Sequence, residues 1–283
     1  MTASTDRFFV KYWGVRGSIP APGPKTQRYG GNTTCLELQA GDHTIAIDGG
    51  TGVRLFGKSL FARLPVNVTF LMTHLHWDHV QGFPFFAPFL IPGNTFQIYS
   101  AHHNGGNIHD VLKQLMAQPA FPISMDAFQS EVNFDFINAG DTLRFGDLVV
   151  KTMLLNHPGG VIGYRFEYGG KVFVHASDWE HPTDGSLDEE FVEFIRDADY
   201  MSVDATYTED EYHGRQGPRR VGWGHATHDE CIRHGRAGGV KHTILTHHEP
   251  ERSDADLDAL ANDVYGGQDD VSFSSEGRII QLI

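Results

Sequence analysis

The segment Thr69-Phe70-Leu71-Met72-Thr73-His74-Leu75-His76-Trp77-Asp78-His79 constrains this chain more than any other, because an apolar strand runs straight into three histidines and an aspartate. If the strand ends near Thr73, the turn that follows aims His74 and His76 to one side, and Asp78 and His79 toward a neighbouring point. Imidazole nitrogen and carboxylate oxygen are ligands for zinc and similar divalent cations, and a mixed N/O set leaves positions open for water. With 17 histidines in 283 residues, an H-x-H-x-D-H match arises by chance about once in two hundred such chains. A merely histidine-rich surface turn does not account for the strand that leads in. The fold must therefore return further ligands to the end of this one strand.

Three positions are suited to that return. His157 follows a strand and precedes Pro158 and Gly159, a rigid loop position; Asp178 sits just past the strand Phe173 to Ala176 and has two oxygens with which to bridge two cations; His247 follows Thr243 to Thr246. Four strand ends then converge on one rim. Short β-branched or aromatic runs bounded by Gly, Asp or Asn predict strands at 8–13, 35–39, 44–47, 66–72, 96–99, 148–154, 161–168 and 171–176. Helical patterns cover 53–64, 108–117, 188–197, 227–237 and 254–265, several opened by an Asp or Thr cap. Along 188–197, Phe191, Phe194 and Ile195, with Leu187 just before them, form a core-facing stripe. No internal repeat, low-complexity tract or long linker divides the chain, so residues 1–283 read as one domain.

Composition narrows the chemistry. No apolar run approaches the roughly 20 residues of a membrane span, and the start MTASTDRFFVKYWGV has no basic segment leading into an apolar one, which makes the cytoplasm the expected compartment. Two cysteines, Cys35 and Cys231, are too few for a disulfide framework. The 22 basic and 36 acidic residues leave a formal charge of −14, which repels polyanions at long range while leaving a small anion free to bind at a cationic site.

The motifs now in hand resemble the metallo-β-lactamase superfamily, and within it the ribonuclease Z-like and cyclic phosphodiesterase branch. The resemblance spans nearly the whole chain: Ile47-Asp48-Gly49-Gly50-Thr51-Gly52 is similar to an early D-G-G-x-G turn, followed by the H-x-H-x-D-H loop, His157, Asp178 and Leu245-Thr246-His247. It implies an α/β fold, a four-layer αβ/βα sandwich of two mixed β-sheets flanked by helices. Carried over by position, it implies that His74, His76 and His157 hold one metal, that Asp78, His79 and His247 hold a second, and that Asp178 bridges them. The cofactors implied are two divalent ions, zinc first, with manganese or iron as alternatives. Asp204-Ala205-Thr206 and Gly224-His225-Ala226-Thr227 resemble the branch's E-A-T and G-H-S-T elements, with Asp204 for Glu and Ala226 for Ser. They imply that His225, fixed by Asp204, assists at the reacting phosphate. The expected catalytic residues are thus Asp78, His225 and Asp204.

These residues describe a two-metal phosphodiesterase. Ribonuclease Z resembles the chain in its site but carries a tRNA-gripping arm, typically between the ligands matching His157 and Asp178, where this chain has room only for two strands and the Gly169-Gly170 turn. A small phosphodiester, cyclic nucleotides included, is therefore the expected substrate and nucleic acid is disfavoured. The rivals are a tRNA 3′ endoribonuclease, a thioester or other ester hydrolase of the same fold, and a non-catalytic metal-stabilised binding module. A homodimer is the oligomer the resemblance implies, and no membrane partner is expected. Weaker signals carry two readings each. Arg215, Arg219 and Arg220 form a phosphate clamp or a solvated loop; Phe83 to Phe89 forms core, or else a stacking wall or dimer contact; the Gly/Pro-rich stretch from Trp13 to Thr33 closes a sheet edge or touches substrate. Among the other histidines, only His248 competes as a ligand or as a partner of one; most of the rest, His175 and His228 included, read as surface or satisfied packing residues.

Overall fold

A computed structural model describes residues 7–103 and 105–283. The first sheet contains β1 (Phe8–Gly14), β2 (Cys35–Ala40), β3 (His43–Ile47), β4 (Asn67–Leu71), β5 (Thr95–Ser100) and β6 (Glu131–Phe136). The second contains β7 (Thr142–Phe145), β8 (Leu148–Leu155), β9 (Val161–Tyr168), β10 (Lys171–Ala176), β11 (Tyr200–Asp204), β12 (Thr243–Thr246) and β13 (Val271–Phe273), and the chain returns to the first sheet with β14 (Ile279–Gln281). The strand orders are β14-β1-β2-β3-β4-β5-β6 and β13-β12-β11-β10-β9-β8-β7. Both sheets are mixed: β3 to β6 are parallel in one, and β10 to β13 in the other.

Three apolar layers separate four structural ones. Between the sheets lie Val10, Leu38, Ile47, Val150, Phe166, Phe173 and Ile244. Outside the first sheet, Phe56, Phe70, Phe83, Phe86, Phe96 and Leu112 pack under α1 (Val53–Leu60) and α3 (Ile108–Leu115); α2 (Trp77–Val80) lies between them in sequence. Outside the second, Val174, Phe191, Val203, Cys231 and Leu257 pack under α4 (Glu189–Phe194), α6 (His228–Ala237) and α7 (Asp254–Ala259), with α5 (Glu209–Tyr212) near the rim. This is the αβ/βα sandwich expected from the sequence. Alternating burial along β1 and period-two facing on β10, with Phe173 inward and Val174 outward, produce it.

Several boundaries move. The helix expected over 53–64 is α-helical to Leu60 and closes with a 3-10 turn at Phe61–Arg63. The one over 254–265 becomes a π-helical turn after Ala259. The caps are those expected: Asp188 and Thr227 accept from Phe191 N and Glu230 N. No helix among the described residues is long and apolar enough to cross a membrane.

Topology places the functional rim. Since β8 and β10 are both antiparallel to β9, they run in the same direction, and both end on the edge where parallel β11 and β12 end. Asp48 follows β3, the histidine loop follows β4, His157 follows β8, Asp178 follows β10, Asp204 ends β11 and His247 follows β12.

Candidate metal centre

Two clusters of ligand atoms meet at this rim. His74, His76, His157 and Asp178 each offer an atom within 4.8 Å of all the others, and so do Asp78, His79, Asp178 and His247. Asp178 belongs to both, one oxygen to each. Its Oδ2 is 3.5 Å from His74 Nε2 and 3.7 Å from His157 Nε2, while its Oδ1 is 3.2 Å from His79 Nε2 and 3.3 Å from His247 Nε2. His157 Nε2 and His76 Nδ1 face each other at 3.1 Å. Asp78 Oδ2 is 3.4 Å from His79 Nε2 and 3.2 Å from His247 Nε2. The loop after β4 divides its side chains between the clusters as its spacing predicts, because His76 precedes α2 in an extended conformation whereas Asp78 and His79 lie within the helical turn.

The chemistry of the donor set fits divalent cations. His74 Nε2 and His79 Nε2 are buried and have no hydrogen-bond partner, although buried nitrogens normally find one. Burial drives the His74 imidazole well below its ordinary range, so it presents a neutral nitrogen. Burial also opposes charge on His247, but Asp178, Asp204 and Asp78 outweigh it and hold its pKa up at about 9. Asp178, Asp78 and Asp48 hold His79 well above its usual value against its desolvation. Such concentrated buried negative charge calls for cations, supplied either by protons or by metal.

Outer partners fix the ring orientations. His79 Nδ1 lies 2.8 Å from Asp48 Oδ2, and Asp48 also accepts from Thr73 N at 2.8 Å. His157 Nδ1 donates to Gly224 O at 2.7 Å. His247 Nδ1 lies 3.0 Å from Thr206 Oγ1, which bonds Asp204 Oδ1 at 2.7 Å. In each case Nε2 is left to face the cluster, the arrangement that orients metal-binding imidazoles. Backbone strain concentrates here as well: among the described residues, non-glycine positive φ occurs at Ser18, Asp48, Asp178, Asp197 and His247, and all but Asp197 belong to this rim. Two glycines permit close approach. A Cβ on Gly17 would collide with the His247 ring, and one on Gly224, at φ +91°, with the His157 ring.

A third group stands beside the second cluster. His225 Nδ1 is 2.6 Å from Asp204 Oδ2, so the aspartate reaches as far as the contact requires. The His225 ring stacks on His247 with centroids 4.9 Å apart. Desolvation lowers the His225 pKa, but the Asp204 charge and hydrogen bond more than compensate and raise it above its ordinary value.

The structure separates the weaker signals. Arg215 pairs with exposed Asp210, Arg219 is exposed, and Arg220 lies over the Tyr207 ring, 4.9 Å from its centroid; Tyr207 is edge-on to His225. Phe83, Phe86 and Phe89 are core, whereas Phe85 is exposed against Phe121. The stretch after Trp13 packs against the rim and reaches one of the cluster residues. Buried Arg16 donates to the carbonyls of Gly30, Glu249 and Arg252, and Ser18 N donates to Asp78 Oδ2 at 2.7 Å. His248 is no ligand in either cluster: its Nε2 bonds Ser274 O, and burial lowers it to about 3. His175 and His228 correct the expectation that such residues are exposed or satisfied. Both are fully buried with neither ring nitrogen bonded, because His175 shares the inter-sheet face of β10 with Phe173, and burial keeps both neutral. Sequence reasoning gave no role to Asp48, Thr73, Thr206 or Glu180; Asp48, Thr73 and Thr206 lie inside the motifs, whereas Glu180 had no signal beyond its nearness to Asp178.

Comparison with known proteins agrees with this geometry. A family model described as "Beta-lactamase superfamily domain" matches residues 43–248. A ribonuclease Z from Bradyrhizobium sp. (strain ORS 278) is 24% identical over 307 residues, covering 91% of this chain and 95% of that protein. The metallo-β-lactamase fold protein YhfI from Bacillus subtilis superposes with a TM-score of 0.70 at 19% identity, over 98% of this chain and 100% of its own. A diphosphatase from the PhnP family also gives 0.70, at 16% identity over 98% of each chain.

Proposed function

Because the chain belongs to the β-lactamase superfamily, we propose that it is a two-metal phosphodiesterase that hydrolyses a small phosphodiester, cyclic nucleotides among the candidates. The observation that carries this reading is Asp178, with one carboxylate oxygen turned to each histidine cluster, beside a His225 whose Nδ1 lies 2.6 Å from Asp204 Oδ2. His74, His76 and His157 would hold one ion, Asp78, His79 and His247 the other, and Asp178 would serve both; zinc is the first candidate, with manganese or iron as alternatives. Two such ions, when bound, supply positive charge to a phosphoryl group and a nucleophile from water at neutral pH. His225, oriented by Asp204, donates its Nε2 proton to the departing alkoxide. Asp78 holds its ion and, through Ser18 N, ties the N-terminal loop to the site.

A tRNA 3′ endoribonuclease is the second reading, favoured by the relative named ribonuclease Z, which also weighs against the expectation that nucleic acid is no partner. Against it, β9 and β10 meet at Gly169-Gly170 and fill the interval between His157 and Asp178 with no room for an arm, and the charge is −14. Turnover of cyclic mononucleotides, bis(p-nitrophenyl) phosphate and precursor tRNA by metal-loaded protein decides between them. Cleavage of the small diesters, lost in Asp78→Ala and, for the cyclic mononucleotides, in His225→Ala, supports the first reading. Cleavage of tRNA alone replaces it with the second.

A further inference from the structure

Glu180 lies two residues beyond Asp178, is 5% exposed, and belongs to neither ligand cluster. Its Oε1 accepts from Tyr212 Oη and from Gly222 N, each at 2.6 Å, and its Oε2 accepts from Gly224 N at 2.8 Å. Its main chain is tied to the residue before His157: Glu180 N donates to Asn156 O at 2.8 Å, and Asn156 Nδ2 donates to Glu180 O at 2.9 Å. One residue thus joins the loops that carry His157, Asp178 and His225.

The stretch between α5 and α6 is held by turn contacts such as Arg220 N to Tyr212 O and Trp223 N to Arg220 O, with no helix or strand to stiffen it. It turns at Gly214, Gly217, Gly222 and Gly224, all at positive φ. Nevertheless its last residues must be placed to a fraction of an ångström. The Gly224 carbonyl accepts from His157 Nδ1, which sets the tautomer that turns Nε2 toward the first cluster, and the next residue is His225. Gly224 is clamped on both sides of its Cα, its N–H by Glu180 and its carbonyl by His157.

We propose that Glu180 is a positioning residue that sets the proton donor His225 and the ligand His157 together, by gripping the Gly222 to Gly224 backbone. This rests on the functional reading above and adds that ligand geometry and proton delivery are coupled through one carboxylate. Glutamine at this position is isosteric but turns an N–H toward backbone N–H or hydroxyl donors, so the clamp opens without loss of volume. Tyr212→Phe removes a hydrogen bond to Glu180 that does not touch the clamped backbone.

The test compares Glu180→Gln, Glu180→Ala and Tyr212→Phe with wild type in kcat and KM on two diesters. One is bis(p-nitrophenyl) phosphate, whose leaving group departs without a proton; the other is a cyclic mononucleotide, whose alkoxide needs one. Metal stoichiometry after timed exposure to a chelator and thermal midpoints complete the comparison. The expected result for Glu180→Gln is a kcat loss of about 30-fold or more on the cyclic substrate, several times smaller on the nitrophenyl diester, with faster metal release. Tyr212→Phe stays within about 3-fold on both. Equal losses on both substrates with unchanged metal release overturn the proposal, and so does wild-type behaviour of Glu180→Gln. If Glu180→Ala does not fold, the isosteric glutamine variant decides. If wild-type protein cleaves no diester, the functional reading fails, while metal release from the variants still tests the hold on His157.

Discussion

The two ligand clusters share Asp178 but are built differently around it. Asp78, His79, Asp178 and His247 are all buried, and His79 is backed by the Asp48 carboxylate. In the other cluster His76 is exposed, and His157 leans on a backbone carbonyl in an irregular loop. The closed cluster is organised by charge and the open one by the peptide framework. An ion in the closed position should therefore exchange slowly, and one in the open position, beside exposed His76, more quickly.

The strongest attack on this asymmetry removes what the clusters share. Asp178→Ala should lower turnover at least about a thousandfold and abolish retention of both ions, measured by kinetics and metal analysis; retention of one full equivalent would mean that Asp178 does not bridge. The two glycines provide a finer probe. Gly17→Ala should disturb His247 and loosen the closed position, whereas Gly224→Ala should disturb His157 and loosen the open one, each by roughly 10- to 100-fold in affinity. Titration with a metal-sensitive dye reads both, and identical effects from the two changes would erase the distinction. Asp48→Asn should weaken the closed position alone, by about tenfold. The smallest effect concerns the metal-free protein. His247 is raised to about 9, so the stability its proton confers is complete below the unfolded value near 6.5 and disappears as pH rises through 9. The thermal midpoint without metal should therefore fall by roughly 5 °C between pH 6.5 and 9.5, while the metal-loaded protein changes less; a flat profile without metal would show that the buried carboxylates do not charge His247.

What the sequence made legible follows the same division. His74, His76, Asp78 and His79 lie in one short loop, so local spacing alone assigns them to two neighbouring points. His157, Asp178 and His247 are marked only as strand-end residues, and it took the αβ/βα topology implied by the resemblance to bring them together. Strands β6, β7, β11, β13 and β14 escaped notice: four are sheet edges, exposed in β6 and β7 and only three residues long in β13 and β14, whereas β11 is a short inner strand, buried from Met201 to Asp204, with no alternation to mark it. Their pairing comes from neighbours rather than from a period of their own. Glu180 was illegible for a related reason: its carboxylate binds backbone N–H groups from a glycine-rich loop more than forty residues away, and a backbone partner leaves no signature in residue type.

Each cluster takes two ligands from the loop of the first sheet and two from the strand ends of the second. An ion at either position would therefore be a cross-link between the two halves of the sandwich that bypasses the chain. A load tending to shear one sheet past the other would then be borne at the rim by coordination bonds, and chelation would turn the edge that parts last into the edge that parts first. Single-molecule pulling across the sheets, with and without chelator, reads that reversal directly.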